Sequence, residues 1–301
     1  MTPSAPPAGQ TSPSPSSSSE RAGDLLAISD LHTRYGANRR IAEDLRPARP
    51  GDWLIVAGDV ADRFDDVVRT LAGLRERFDR VLWVPGNHEL WTLPGDPVRE
   101  RGAARYERFV AALRDAGVTT PEDPYPVWDG GEGRYLVAPL FLLYDYTFLP
   151  PGAGTKDEAI AAARRARAAC SDEIYLHPDP YPSREAWSRA RVEATRQRLD
   201  AAAADAGVRT VLVNHYPLVR RPTRRLWAQE FALWCGTEAT ADWPARYRAE
   251  AVVYGHLHIP VTERIDGVRH IEASLGYPRQ WERRAWLDGD LPRGVVRVLR
   301  G

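Results

Sequence analysis

Eight side chains suited to metal or phosphate chemistry stand at spaced points along this sequence, each just beyond a short apolar run. Asp30 and His32 close the first run as Asp-Leu-His, and Asp59 follows Gly58 at the end of the run 53–59. Asn87 and His88 occur in Gly-Asn-His-Glu after the run 81–86. His215 ends the run 211–215, and His256 and His258 form Gly-His-Leu-His after the run that begins at Val252. Carboxylate, imidazole and one amide oxygen suit Mn, Fe or Zn. Calcium would call for oxygens alone, and a structural zinc for thiolates. The set is too large for one ion and about right for two that share a carboxylate. Two ions roughly 3.5–4 Å apart activate water and stabilise both the attacking and the leaving oxygen of a phosphoryl displacement. Singly the motifs are weak, since Asp-x-His is common by chance and Asn-His is often a turn. Their ordered recurrence at run ends carries the inference to metal-assisted phosphoester hydrolysis.

Continuous apolar runs bounded by turn residues predict strands buried on both faces. Helix-like segments at 39–45 and 65–77 separate the first three runs, which argues for a layered α/β fold. In such sheets ligands gather beyond the carboxyl ends of the strands. Gly58, Gly86 and Gly255 permit the turns that would aim the neighbouring side chains outward. The middle of the chain predicts a helix at 99–116, a strand at 134–141, and Ala/Arg-rich helices at 156–169 and 184–204. Strands at 261–265 and 268–273 are joined by Asp266-Gly267, a strong hairpin signal.

With 301 residues, 43% hydrophobic and 27% charged, the chain is long enough for a sizeable core, and its composition excludes a mostly disordered or fibrous protein. Its 41 basic and 41 acidic side chains cancel, so no global field gathers nucleic acid or anionic membrane. No apolar stretch reaches the roughly 20 residues of a membrane span. Cys170 and Cys235 are too few for a disulfide framework and lack metal-pair spacing, which fits a reducing cytoplasm. Residues 1–23 are Pro/Ser-rich, without a basic start or an apolar core, and predict a disordered tail rather than a secretory signal. Residues 24–301 are expected to form a single domain.

In their order, Asp-x-His, Gly-Asp, Gly-Asn-His-Glu, a lone His and Gly-His-x-His resemble the calcineurin-like metallophosphoesterase family. The resemblance implies an α/β fold, a four-layer α-β-β-α sandwich with a helical insertion. It also implies a dinuclear centre of divalent or trivalent ions, Mn²⁺ and/or Fe, with Zn²⁺ as the alternative. One ion would be held by Asp30, His32, Asp59 and His258, and the other by Asp59, Asn87, His215 and His256, with Asp59 bridging. The catalytic pair would be Asp59 and His88, His88 stabilising the phosphoryl transition state and protonating the leaving group. Glu89, where the family often has Asp, is expected to orient His88. His177 and His270 stand outside the pattern, as structural or surface groups.

Further stretches are similar to a narrower group, the actinobacterial phosphopantetheinyl hydrolases. They are Pro-Gly-Asn-His-Glu-Leu-Trp (85–91), Phe-Leu-Leu-Tyr-Asp-Tyr-Thr-Phe-Leu-Pro (141–150), Phe-Ala-Leu-Trp-Cys-Gly-Thr (231–237), Tyr-Gly-His-Leu-His-Ile-Pro (254–260) and Ser-Leu-Gly-Tyr-Pro-Arg-Gln-Trp (274–281). That resemblance implies removal of 4′-phosphopantetheine from holo acyl or peptidyl carrier protein to leave the apo form. The alternatives are a small-molecule phosphodiesterase or phosphatase acting on a cyclic nucleotide or nucleotide-type metabolite, and an inactive scaffold of the same fold. The intact ligand set and His88 argue against the scaffold. Arg220 and Arg221, with Arg224 and Arg225, are candidates to seat a phosphate or an acidic partner; the other reading is a solvated loop. Tyr144 and Asp145 are candidates at the ligand edge. Trp227, Trp234 and Trp243 would form either an apolar wall for a pantetheine arm or a satellite core.

Overall fold

The apolar runs pair into two sheets. The structure, a computed structural model, describes residues 23–131, 133–168, 170–204, 207–284 and 290–301. Apart from Gly23, the tail expected over residues 1–23 lies outside the described residues. In the first sheet β1 (Leu25–Ile28), β2 (Trp53–Val56) and β3 (Arg80–Trp83) run parallel, with Leu26 opposite Leu54 and Leu54 opposite Val81. The second sheet holds β4 (Val127–Gly130), β5 (Gly133–Pro139), β6 (Arg209–Val213), β7 (Ala249–Tyr254), β8 (Val261–Ile265) and β9 (Val268–Glu272), in the order β4-β5-β6-β7-β9-β8. Its four inner strands are parallel, and β4 and β8 close its edges antiparallel. Finally β10 (Val296–Leu299) pairs antiparallel with β1.

Side chains alternate across a strand, and here both faces are apolar. Leu25, Ala27 and Ile55 of the first sheet meet Val137, Val211, Val253 and Ile271 of the second in a core between the sheets. On the outer face of the first sheet Leu26, Leu54 and Trp83 pack on α2 (Phe64–Arg75) and α4 (Gly102–Asp115). On the outer face of the second, Ala138, Leu212 and Val252 pack on Leu199 of α7 (Arg184–Ala202) and on Trp243. Each full burial of such a side chain is worth about 1.5–3 kcal/mol. The result is the expected four-layer α-β-β-α sandwich. Its helical insertion lies between β5 and β6 and consists of α5 (Lys156–Arg165), α6 (Asp172–Tyr175) and α7.

Caps set the helix starts. Thr155 accepts the Glu158 N–H while Glu158 reaches back to the Thr155 N–H, and Ser183 caps α7. α5 ends at Arg165, short of the 156–169 expected from its Ala/Arg pattern. The edge strands β4 and β10 were not apparent in the sequence, because Asp129 and Arg297 interrupt their apolar runs. β10 returns the end of the chain to its start: Asp24 accepts the Gly301 N–H at 3.0 Å and Arg297 Nε at 2.7 Å. The Asp266-Gly267 turn joins β8 to β9 as its dipeptide predicts. Two short helices complete the site region, α1 (Gly36–Asp44) after β1 and α3 (Asn87–Leu90) after β3.

Candidate metal centre

Every ligand candidate sits two to four residues beyond a strand end, and five of the seven adopt an uncommon backbone conformation. Asp30, His32, Asp59, His256 and His258 all have positive φ, between 42° and 69°. Side chains adopt that left-handed region at a cost of about 1–3 kcal/mol each, and its concentration at one edge of the sandwich marks a functional site. Gly255 makes the close approach possible, since a Cβ there would lie 2.0 Å from Ser29 Oγ and 2.2 Å from Asp30 Oδ2.

The loops bring the ligating atoms of Asp30, His32 and His258 within 4.8 Å of one another, and likewise those of Asp59, His215 and His256. A third such group, His32, Asp59 and His88, lies between them. The hydrogen bonds determine what these groups offer. Gln280 Oε1 accepts the Tyr277 backbone N–H at 2.7 Å, so the same oxygen must also be the acceptor of His258 Nδ1–H at 2.8 Å. In the neutral ring, His258 Nε2 is then a bare lone pair, 2.9 Å from Asp30 Oδ1 and 3.2 Å from His32 Nε2. His215 repeats the arrangement. Its Nδ1–H donates to the Ala57 carbonyl at 2.8 Å, and its Nε2 faces Asn87 Oδ1 at 3.2 Å and Asp59 Oδ2 at 3.5 Å. Acceptor facing acceptor in a buried site requires a cation, a proton or a metal ion, between them. The titration behaviour expresses the same demand: burial opposes charge on His215, yet Asp59 lifts it to about 10. His32 and His256 are instead held down to about 3, by burial and then by His88 and His215 respectively, which keeps their lone pairs free. His256 Nε2 is buried without a partner among the described residues. The donor set therefore fits metal cations.

His88 differs from the ligands. Its Nδ1 meets Asp62 Oδ1 at 2.7 Å and its Nε2 points back toward Asp59 Oδ2 at 3.7 Å. Burial opposes its charge, but Asp59 and the bond to Asp62 push it up to about 9. Arg34 completes the chain by donating to Asp62 Oδ2 at 3.0 Å. The expectation that Glu89 orients His88 is corrected here. Glu89 accepts the backbone N–H groups of Gly86, Asp59 and Val60 at 2.7–3.0 Å, tying the loop after β2 to the loop after β3. The Glu89 carboxylate is engaged by those three backbone donors, and the His88 imidazole meets Asp62 instead. Asp62, three residues after Asp59, takes that role, and its spacing from Gly-Asp was the available signal.

The candidate substrate residues fall in several places. Tyr144 is only 1% exposed and packs edge-on against Tyr216, away from any open surface. Asp145 holds a turn, accepting from Thr147 and Thr237. Arg220 donates to the Leu149 carbonyl, while Arg221 and Arg224 point outward on a short 3-10 helix (Arg221–Arg225). The three tryptophans form no single wall: Trp234 donates to Glu173 Oε1, Trp243 lies in the core outside the second sheet, and Trp227 is 86% exposed. The aromatic lining of the centre is instead Tyr277, 4.6 Å from His32, and Phe231, stacked 5.7 Å from His256. The quoted stretch 274–281 supplies Ser274 to Asp30 Oδ2 as well as Gln280 to His258, which is what its residues do here.

Comparison with known proteins identifies the family of the chain. The family model for calcineurin-like phosphoesterases matches residues 24–260. The chain is 53% identical over 271 residues to [Acyl-carrier-protein] phosphodiesterase PptH of Mycobacterium tuberculosis, covering 89% of this chain and 83% of the relative. The crystal structure of phosphopantetheinyl hydrolase PptH from Mycobacterium tuberculosis superposes with a TM-score of 0.87 at 51% identity, covering 92% of this chain and 95% of that one.

Proposed function

Because this chain belongs to the calcineurin-like phosphoesterase family, we propose that the centre hydrolyses the phosphodiester linking 4′-phosphopantetheine to a carrier-protein serine. The observation that carries the reading is the convergence of Asp30, His32, Asp59, Asn87, His215, His256 and His258 on one buried, cation-demanding edge, in a chain half identical to a carrier-protein phosphodiesterase. The ions are proposed to be Mn²⁺ and/or Fe, with the ligand sets meeting at Asp59. When bound, they supply positive charge to the phosphoryl oxygens and activate water. The rest of the mechanism belongs to this chain's own side chains. Asp62 fixes the imidazole of His88, whose Nε2–H faces the reacting phosphoryl group. That proton would pass to the serine oxygen as the P–O bond breaks and a water oxygen adds to phosphorus, the water's own proton going to solvent. Apo carrier and 4′-phosphopantetheine leave. Among the described residues no helix is long and apolar enough to cross a membrane. The free thiols Cys170 and Cys235 favour a reducing cytoplasm as the place of the reaction.

The deciding experiment incubates holo carrier protein with enzyme and Mn²⁺ and reads the carrier's intact mass. Loss of the phosphopantetheine mass is expected. An unchanged mass, with a generic phosphodiester turned over, would replace this reading with the small-molecule one. Arg221 and Arg224, outward-facing on the loop after His215, are proposed to meet the carrier. Charge reversal at both should raise KM for the carrier about tenfold with little change in kcat. An unaltered KM across ionic strengths would remove the loop from the docking surface.

A further inference from the structure

Asp172 belongs to none of the sequence motifs, yet it touches two of the groups that matter most. It begins α6 in the insertion and is fully buried. Its Oδ1 accepts Asn87 Nδ2 at 2.9 Å, across 85 residues of sequence, and Trp91 Nε1 at 2.7 Å. The Trp91 ring in turn lies on His88, with ring centroids 3.7 Å apart and planes at 34°.

We propose that Asp172 is a positioning residue for the metal centre, fixing Asn87 with its amide oxygen toward the cation pocket and holding Trp91 against His88. This rests on the reading of Asn87 as a ligand. An amide presents its oxygen and its nitrogen with nearly the same shape, so packing alone does not decide which one faces the pocket. The wrong face would offer N–H donors to a cation. A carboxylate only accepts, so Asp172 takes the Nδ2 face and leaves Oδ1 pointing at His215 Nε2, 3.2 Å away. Asp172 Oδ2 has no partner among the described residues, nor do the buried hydroxyls of its neighbours Tyr144 and Tyr216. A buried acid that leaves half its acceptor capacity unused is costly to keep, and what Oδ1 holds is the physical reason to keep it.

The test is Mn²⁺ titration by calorimetry with elemental analysis, without substrate, on wild type and on Asn87→Ala, Asp172→Asn and the double variant Asn87→Asp/Asp172→Asn. Asp172→Asn should weaken the second Mn²⁺ by about 10–100-fold. The double variant should regain it, because the new amide donates to one oxygen of the new carboxylate and leaves the other for the metal. A merely structural role would give no such rescue. If Asn87→Ala keeps both ions tightly, the ligand reading fails. If Asn87→Ala loses one and Asp172→Asn loses none, the positioning role fails. Should the variants not fold, nitrogen-labelled wild type decides: the Asn87 side-chain amide protons should exchange slowly, and rapid exchange would overturn the proposal.

Discussion

His88 and its support show how one side chain acquires a role through its neighbours. Asp62 on Nδ1, Trp91 on one face and the pull of Asp59 leave a single proton-bearing nitrogen aimed into the centre. His88→Ala should therefore keep two ions by elemental analysis yet lose two or more decades in kcat, as expected for removing a transition-state donor. Unchanged turnover would assign the proton to another group. The proposed ligands stood out in the sequence because Asp, Asn and His recur in order just past the ends of apolar runs. Asp62 and Asp172 did not, because they act through other side chains, and an Asp in a turn or at a helix start has many ordinary reasons to be there.

At the scale of elements, the strand ends were legible and the devices that hold the loops were not. Continuous apolar runs identify β1, β2, β3, β6 and β7 without help from tertiary structure. Arg105, by contrast, looks like any charge on an amphipathic helix. In the structure it is fully buried within α4 and donates to the Glu89 carbonyl at 2.7 Å, the Val98 carbonyl at 3.3 Å and Asp96 Oδ2 at 2.7 Å. It anchors α3, the turn that carries Asn87 and His88, to the helical layer. Arg105→Met should cost about 3–5 kcal/mol, because Asp96 is left buried and unpaired. Urea unfolding checks the value. A loss under 1 kcal/mol would mean that water reaches Asp96.

At the scale of the whole molecule, the outer face of the second sheet buries a histidine that belongs to none of the metal motifs. His270 on β9 is 1% exposed, and both ring nitrogens lack partners among the described residues. Burial pushes it down to about 4 from the usual 6.5, against the opposing charges of Glu263 and Asp266 and with a smaller push from Arg221. As pH falls, the unfolded chain takes up this proton first. The stability is thus complete above about pH 6.5, drains between 6.5 and 4, and amounts in total to about 3 kcal/mol. His270→Gln should flatten that part of the stability curve measured by urea unfolding at stepped pH. An identical slope would exclude His270 as its source. The pairing of β10 with β1 has a consequence of another kind. Asp24 and Gly301 are joined by a hydrogen bond, so the described chain is almost a closed ring whose covalent order is incidental to its shape. A circular permutant linking residue 301 to residue 24 and reopened at the exposed Asp266-Gly267 turn should refold and titrate Mn²⁺ like the parent. Failure to refold would show that chain order, and not only the final contacts, guides assembly of the sandwich.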